Sequence, residues 1–225
     1  MNTKYKKLYI VLGAVALIGI IVPTVLLNFM PDTVPLHYDF NGNIDRYGSK
    51  YELLIFPAIA LIMQVTLALV AYNERKKGER SNEKPILYTA IGACLPITAL
   101  GIYIMAKSIN NPEPVGANSI MTFTGIGLGV MLIILGNIMP KARMNSYFGL
   151  RTSWSMKNER VWQKSQRLGG IALVIGGAVM IILMAFIKGP WSILVLTAVI
   201  TAVLSVSIVG SYRYYKQDSV SREGK

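Results

Sequence analysis

Residues 8–29 read LYIVLGAVALIGIIVPTVLLNF, 22 positions without an Asp, Glu, Lys, Arg or His. Folded as a helix at ~1.5 Å per residue, such a run spans the ~30 Å hydrocarbon core of a bilayer. Five more runs lack the same five residue types: 53–72, 86–106, 120–139, 169–187 and 191–212. In lipid no water is available to the backbone, so each run must close its own hydrogen bonds as a helix. The 225-residue chain is 53% hydrophobic and only 15% charged, where a soluble domain carries about a quarter charged residues. The expected fold is all-α, a polytopic integral membrane protein with six transmembrane helices.

Cations set the expected orientation. Lys4, Lys6 and Lys7 precede the first run; Arg75, Lys76, Lys77, Arg80 and Lys84 join the second to the third. Seven more lie between 141 and 167, where Glu159 is the single acid, and Arg213, Lys216, Arg222 and Lys225 follow the last run. The alternate connections hold only Arg46, Lys50, Lys107 and Lys188. By the positive-inside rule the N- and C-termini are cytoplasmic. The net charge of +12 then reports topology and contact with anionic membrane lipids, with no direct nucleic-acid role, since no basic soluble domain is present. The first run is too long for a signal-peptide core and lacks a small-x-small cleavage site, so it is expected to stay as a span. Cys94, the sole cysteine, sits in the third run and reads as a small apolar packing residue.

Two units are expected: 1–80, a two-span N-terminal module with an outer loop at 30–52, and 85–225, a four-span core. Between them NERKKGERSNEKP, residues 73–85, alternates in charge and reads as a solvated linker. Residues 107–119 form a turn-rich outer loop, and Lys188-Gly189-Pro190 makes a tight one. Gly125, Gly127 and Gly129 in the fourth run, and Gly169, Gly170, Gly176 and Gly177 in the fifth, permit close helix approach. Pro23, Pro57 and Pro96 are expected to loosen three spans.

In the outer loop Leu36, Tyr38 and Phe40 alternate with His37 and Asp39, and Asn41-Gly42 supplies hairpin-turn residues, so a small β-hairpin is expected between the first two helices. Asp39, Asn41, Asn43 and Asp45 space oxygens like a calcium loop, but its obligatory Gly and Glu positions hold Ile44 and Lys50. With His37 the sole histidine, no metal or other cofactor is expected.

The inner segment 145–162, NSYFGLRTSWSMKNERVW, is the leading candidate for a site facing the cell interior. From Ser153 onward it reads as a short amphipathic helix lying at the membrane interface, capped by Ser153 or Ser155. Trp154, Val161, Trp162 and Leu168 share one face, with Lys157, Arg160, Lys164 and Arg167 around the rest.

Gly136-Asn137-x-Met139, Asn145, Gly149-Leu150-Arg151-Thr152-x-Trp154 and Glu159-x-Val161-Trp162 together resemble the signature of the SdpI family of bacterial immunity proteins. The ending Ser211-Tyr-Arg-Tyr-Tyr-Lys216 is similar to that family's usual close. Pro35-x-His37-Tyr38-x-x-x-Gly42-x-x-Asp45 with Ser49-Lys50 resembles the small N-terminal domain that often precedes the SdpI core. One departure is Ser153, where the family often has proline; serine can cap a helix that proline would start. The resemblance implies a bacterial cell-membrane protein that confers immunity to a secreted antimicrobial peptide toxin. It further implies signal transduction, in which a cytosolic autorepressor is held at the membrane. His37, Tyr38, Asn41, Gly42, Asp45 and Lys50 would then face toxin, and Asn145, Gly149, Arg151, Thr152, Trp154 and Trp162 would form the repressor surface.

Two other classes compete. A transporter or exporter of a peptide or lipid-like substrate would normally place ionisable groups inside the membrane; here only uncharged groups such as Gln64 and Asn137 interrupt the runs. An enzyme would need a convergent acid–base or nucleophile set, and the sequence offers no His-Glu-x-x-His motif and no second histidine. The chain is therefore expected not to be an enzyme.

Overall fold

The structure is a computed structural model and describes residues 4–39, 43–110 and 117–223. Six helices are each long and apolar enough to cross a membrane: α1 Lys6–Leu27, α2 Ile55–Glu74, α3 Glu83–Asn110, α4 Ala117–Ile138, α5 Glu159–Phe186 and α6 Trp191–Glu223. Large apolar side chains such as Ile10, Leu17, Ile62, Leu69, Ile182 and Leu204 point outward from the bundle. That surface suits lipid, where apolar exposure costs nothing and helices associate through packing and hydrogen bonds.

Two central helices organise the bundle. α3 packs along α1, α2 and α4, while α5 lies between α4 and α6. The glycines explain how α5 serves two neighbours. A Cβ on Gly170 would lie 2.6 Å from the Gly136 carbonyl oxygen, and one on Gly177 would lie 2.5 Å from that of Gly129. These pairs recur every seven residues, two turns of helix, so α4 and α5 touch backbone to backbone along one seam. Gly176, one residue around the helix, instead makes room for Val203 of α6. Pro23 and Pro96 lie inside α1 and α3, and Pro57 lies in the first turn of α2.

The outer hairpin is present. Strand β1, Thr33–Tyr38, pairs antiparallel with β2, Ile44–Ser49, with irregular register around His37. It is seated rather than free: Val34 is fully buried with Met30 and Leu53 against Ile104 and Met105 of α3. The turn residues Asn41 and Gly42 lie outside the described residues.

Two expectations need correction. The segment after Ser153 does not form a separate interfacial helix. Residues 153–156 are turns, and the helix begins at Glu159, capped by Asn158, whose side-chain oxygen accepts the Val161 N–H at 3.0 Å. From there α5 runs unbroken into the fifth span, so Val161 and Trp162 are buried in protein rather than laid against headgroups. Asn158 wins the cap because its short amide reaches the first free N–H groups, whereas Ser155 is committed to the preceding loop. Nor is the connection after α2 merely solvated. It forms a turn of 3-10 helix, Arg75–Arg80, flanked by Glu74, Asn82 and Glu83, all less than 5% exposed. These polar side chains are buried because each has bonding partners there.

Candidate functional site

The start of α1, the end of α6 and the connections α2–α3 and α4–α5 lie at one end of the bundle, the termini face; the hairpin lies at the other. On the termini face the sequence from Ala142 to Asn158 has almost no regular structure, yet its backbone is held almost residue by residue. Asn82 pairs with Arg143 through both polar atoms of its side-chain amide: its oxygen accepts the Arg143 N–H at 2.9 Å and its nitrogen donates to the Arg143 carbonyl at 3.4 Å. Asn82 is itself fixed by Glu74, whose carboxylate accepts the Asn82 N–H and also binds Lys77.

Further along, Asn145 folds the next turn on itself. Its side-chain oxygen accepts the N–H groups of Tyr147 and Phe148, both at 2.8 Å, and its nitrogen donates to the Arg143 carbonyl at 2.7 Å. Gln166, fully buried on α5, then clamps Leu150: it accepts the Leu150 N–H at 2.8 Å and donates to the Leu150 carbonyl at 3.0 Å. Gly149 has φ +104, and a Cβ there would lie 2.4 Å from the Gln166 side-chain oxygen. Only glycine fits both the backbone angle and the space. Ser155, also fully buried, accepts the Thr152 N–H at 2.8 Å and donates to the Leu150 carbonyl at 2.8 Å. Beneath all this, the Trp162 indole donates to the Ala142 carbonyl at 2.9 Å.

α6 closes the other side. Ser211 meets Ser165 at 2.8 Å, Tyr212 packs edge-on to Trp154 with ring centroids 5.5 Å apart, and Asp218 accepts the Asn158 amide at 2.8 Å. Lys164 sits 5.7 Å from the Tyr214 ring. The 145–162 segment and the Ser211–Lys216 ending are thus two halves of one platform.

The six inner candidates divide by position. Asn145 and Trp162 are buried, Gly149 and Thr152 are half-buried, and their contacts are with the platform's own backbone. Arg151 is exposed at the loop's crest. Trp154 is half-buried with its indole N–H turned inward and without a hydrogen-bond partner among the described residues. Sequence reasoning missed Asn82, Ser165 and Gln166, and took Ser155 for a helix cap where it holds the loop. The available signal was polarity at helical spacing: Trp162, Ser165, Gln166, Gly169 and Gly170 form one continuous face of α5.

At the hairpin face His37 Nδ1 and Asp45 Oδ1 lie 2.6 Å apart, and Asp39 accepts both the backbone and the side-chain N–H of Asn43. Lys50 donates to the Met30 carbonyl at 3.2 Å and pairs with Asp32 at 3.0 Å, tying the hairpin's exit to the end of α1. Burial, with Tyr47 nearby, raises the Tyr38 phenol above its ordinary pKa. No group of three or more His, Cys, Asp or Glu converges among the described residues.

Residues 141–211 match the SdpI/YfhL protein family, and residues 14–61 match a domain of unknown function, DUF1648. The chain is 28% identical over 198 residues to the immunity protein SdpI of Bacillus subtilis, covering 88% of this chain and 91% of that protein. An uncharacterized protein of Archaeoglobus fulgidus is 38% identical over 48 residues, 21% of this chain and 26% of its own. No solved structure matches the chain. The family match begins at the foot of the platform and ends at Ser211, and the longer similarity takes in both faces of the bundle. On these grounds the chain is similar to the SdpI/YfhL protein family, with the family match confined to residues 141–211, and is a multi-pass bacterial membrane protein.

Proposed function

We propose that this protein confers immunity to a secreted peptide toxin that attacks the bacterial membrane, and that its termini face holds a cytosolic repressor when toxin engages the hairpin face. The observation that carries the reading is the similarity to an immunity protein along 88% of the chain. The geometry supports the second part. α3 is bound at one end to the hairpin through Ile104 and Met105. At its other end Asn82, just before its first turn, holds Arg143. One continuous helix therefore joins the hairpin to the platform, and a shift of α3 would be felt at both.

On this reading Arg151 is the contact residue for the repressor, since a guanidinium offers five donors in a fixed fork. Asn145, Gly149, Thr152 and Trp162 act by holding the crest that presents it. His37, Tyr38, Asp45 and Lys50 lie on the toxin-facing side, with Asn41 and Gly42 outside the described residues. The division into a two-span module, 1–80, and a four-span core, 85–225, belongs to this proposal as the division between sensing and output.

The test is expression in a toxin-sensitive bacterium. Cells carrying the inserted protein should keep their membrane potential when toxin is added, and a fluorescent repressor should move to the membrane. Arg151→Ala should preserve resistance and lose recruitment. Unchanged killing with the protein shown in the membrane would remove the immunity reading. Intact recruitment in Arg151→Ala would remove the role given to the crest.

A further inference from the structure

On the termini face, away from the Arg151 crest, a cleft of about 660 Å³ opens between the start of α1, the first turns of α3 and the last turns of α4. Its volume lies in the range of small-molecule sites. The lining is graded. Ile133, Ile134 and Ile138 of α4 form an apolar wall, while Lys4, Lys84, Lys141 and Arg143 stand at the opening. From Ile133 to Lys141 the chain climbs about 12 Å at helical rise, so the wall lies at acyl-chain depth when the cations lie at headgroup depth. Between them Asn137 and Tyr88 add polar groups.

The four cations have no carboxylate within ion-pairing distance among the described residues. Two acids of this face are already engaged: Glu74 binds Lys77 and the Asn82 N–H, and Glu83 accepts the Tyr9 hydroxyl at 3.1 Å. Four like charges around one opening repel one another in the absence of an anion. An ordinary juxtamembrane cation cluster would sit on a convex helix face; this one surrounds a concavity with an apolar floor.

We propose that this cleft binds an anionic phospholipid of the cytoplasmic leaflet, its phosphodiester held among Lys84, Lys141 and Arg143 and its acyl chain laid on the Ile133–Ile134–Ile138 wall. A free phosphate would satisfy the cations and leave the wall uncovered, which is why the lipid is the chosen occupant. Arg143 gives the site a consequence, because its backbone is the atom pair that Asn82 grips. A lipid bound there stiffens the joint between α3 and the platform.

Native mass spectrometry of the full chain released from nanodiscs tests this. Wild-type protein should retain phosphatidylglycerol on the order of tenfold more than phosphatidylcholine, given the worth of each cation near an anionic headgroup. Lys84→Gln/Arg143→Gln should lose about tenfold of that retention, whereas Lys157→Gln/Arg160→Gln, exposed cations outside the cleft, should not. If the first pair does not yield folded protein, Lys4→Gln/Lys141→Gln removes the other two cations and should lose retention likewise. Equal retention in the cleft variants, equal loss in the outside pair, or equal binding of phosphatidylcholine overturns the proposal. Full displacement of the lipid by an equal concentration of inorganic phosphate also overturns it, since the occupant is then a free anion.

Discussion

Gly149 is the residue on which the platform turns. Its φ of +104 is open to glycine, and its missing side chain leaves room for the Gln166 amide. Gly149→Ala therefore combines backbone strain with a clash against a fully buried group. It should lower stability by about 1–3 kcal/mol, read as a drop in the unfolding midpoint in detergent. Arg151→Ala, two residues away but exposed, should stay within about 0.5 kcal/mol of wild type by the same measurement. The contrast separates residues that hold the crest from the residue that the crest presents. The motif Gly149-Leu150-Arg151-Thr152 was legible in the chain as a compact, unusual string. Its division of labour was not, because the partners of Leu150 and Thr152 lie up to 16 positions away on Gln166 and Ser155.

Among the elements, α5 shows the largest gap between pattern and outcome. Its first turns carry Arg160, Lys164 and Arg167, and with Trp154 and Trp162 nearby they read as a surface helix. The structure instead makes them an extension of a span on the termini face, clasped by α6. Charge at those positions is compatible with either arrangement, since only one face, Trp162 to Gly170, needs to be buried. The glycine pairs were visible as small residues, but which neighbour each pair meets follows from the rotation of α5 in the bundle. Gly177→Leu should force α4 and α5 apart, because even a Cβ would lie 2.5 Å from the Gly129 carbonyl oxygen. Gly13→Leu on α1, with open space around it, should be tolerated. Denaturation in sodium dodecyl sulfate should show the first variant unfolding at a lower detergent fraction and the second unchanged.

For the whole molecule the sharpest expectation is topology. Six spans place both termini on one side, and the weight of Lys and Arg makes that side cytoplasmic. With Cys94→Ala removing the sole thiol, Ser49→Cys on the hairpin should react with an impermeant maleimide in intact cells. Ser153→Cys on the platform should react only after permeabilisation. The reverse pattern would invert the molecule and move the proposed toxin and repressor surfaces to the wrong compartments.

The sequence by itself determined the number and length of the spans, the sidedness of charge, the outer hairpin and the family likeness. Each of these is a local or additive property: hydropathy sums along a run, cations sum within a loop, and turn residues act on their immediate neighbours. Only the tertiary structure decided that the connection after α2 is part of the platform, that Trp162 is a buried hydrogen-bond donor, and that a basic cleft opens between α1, α3 and α4. Those outcomes depend on pairs far apart in the chain, such as Asn82 with Arg143 and Ser165 with Ser211, and a polar residue does not announce which distant backbone group will satisfy it.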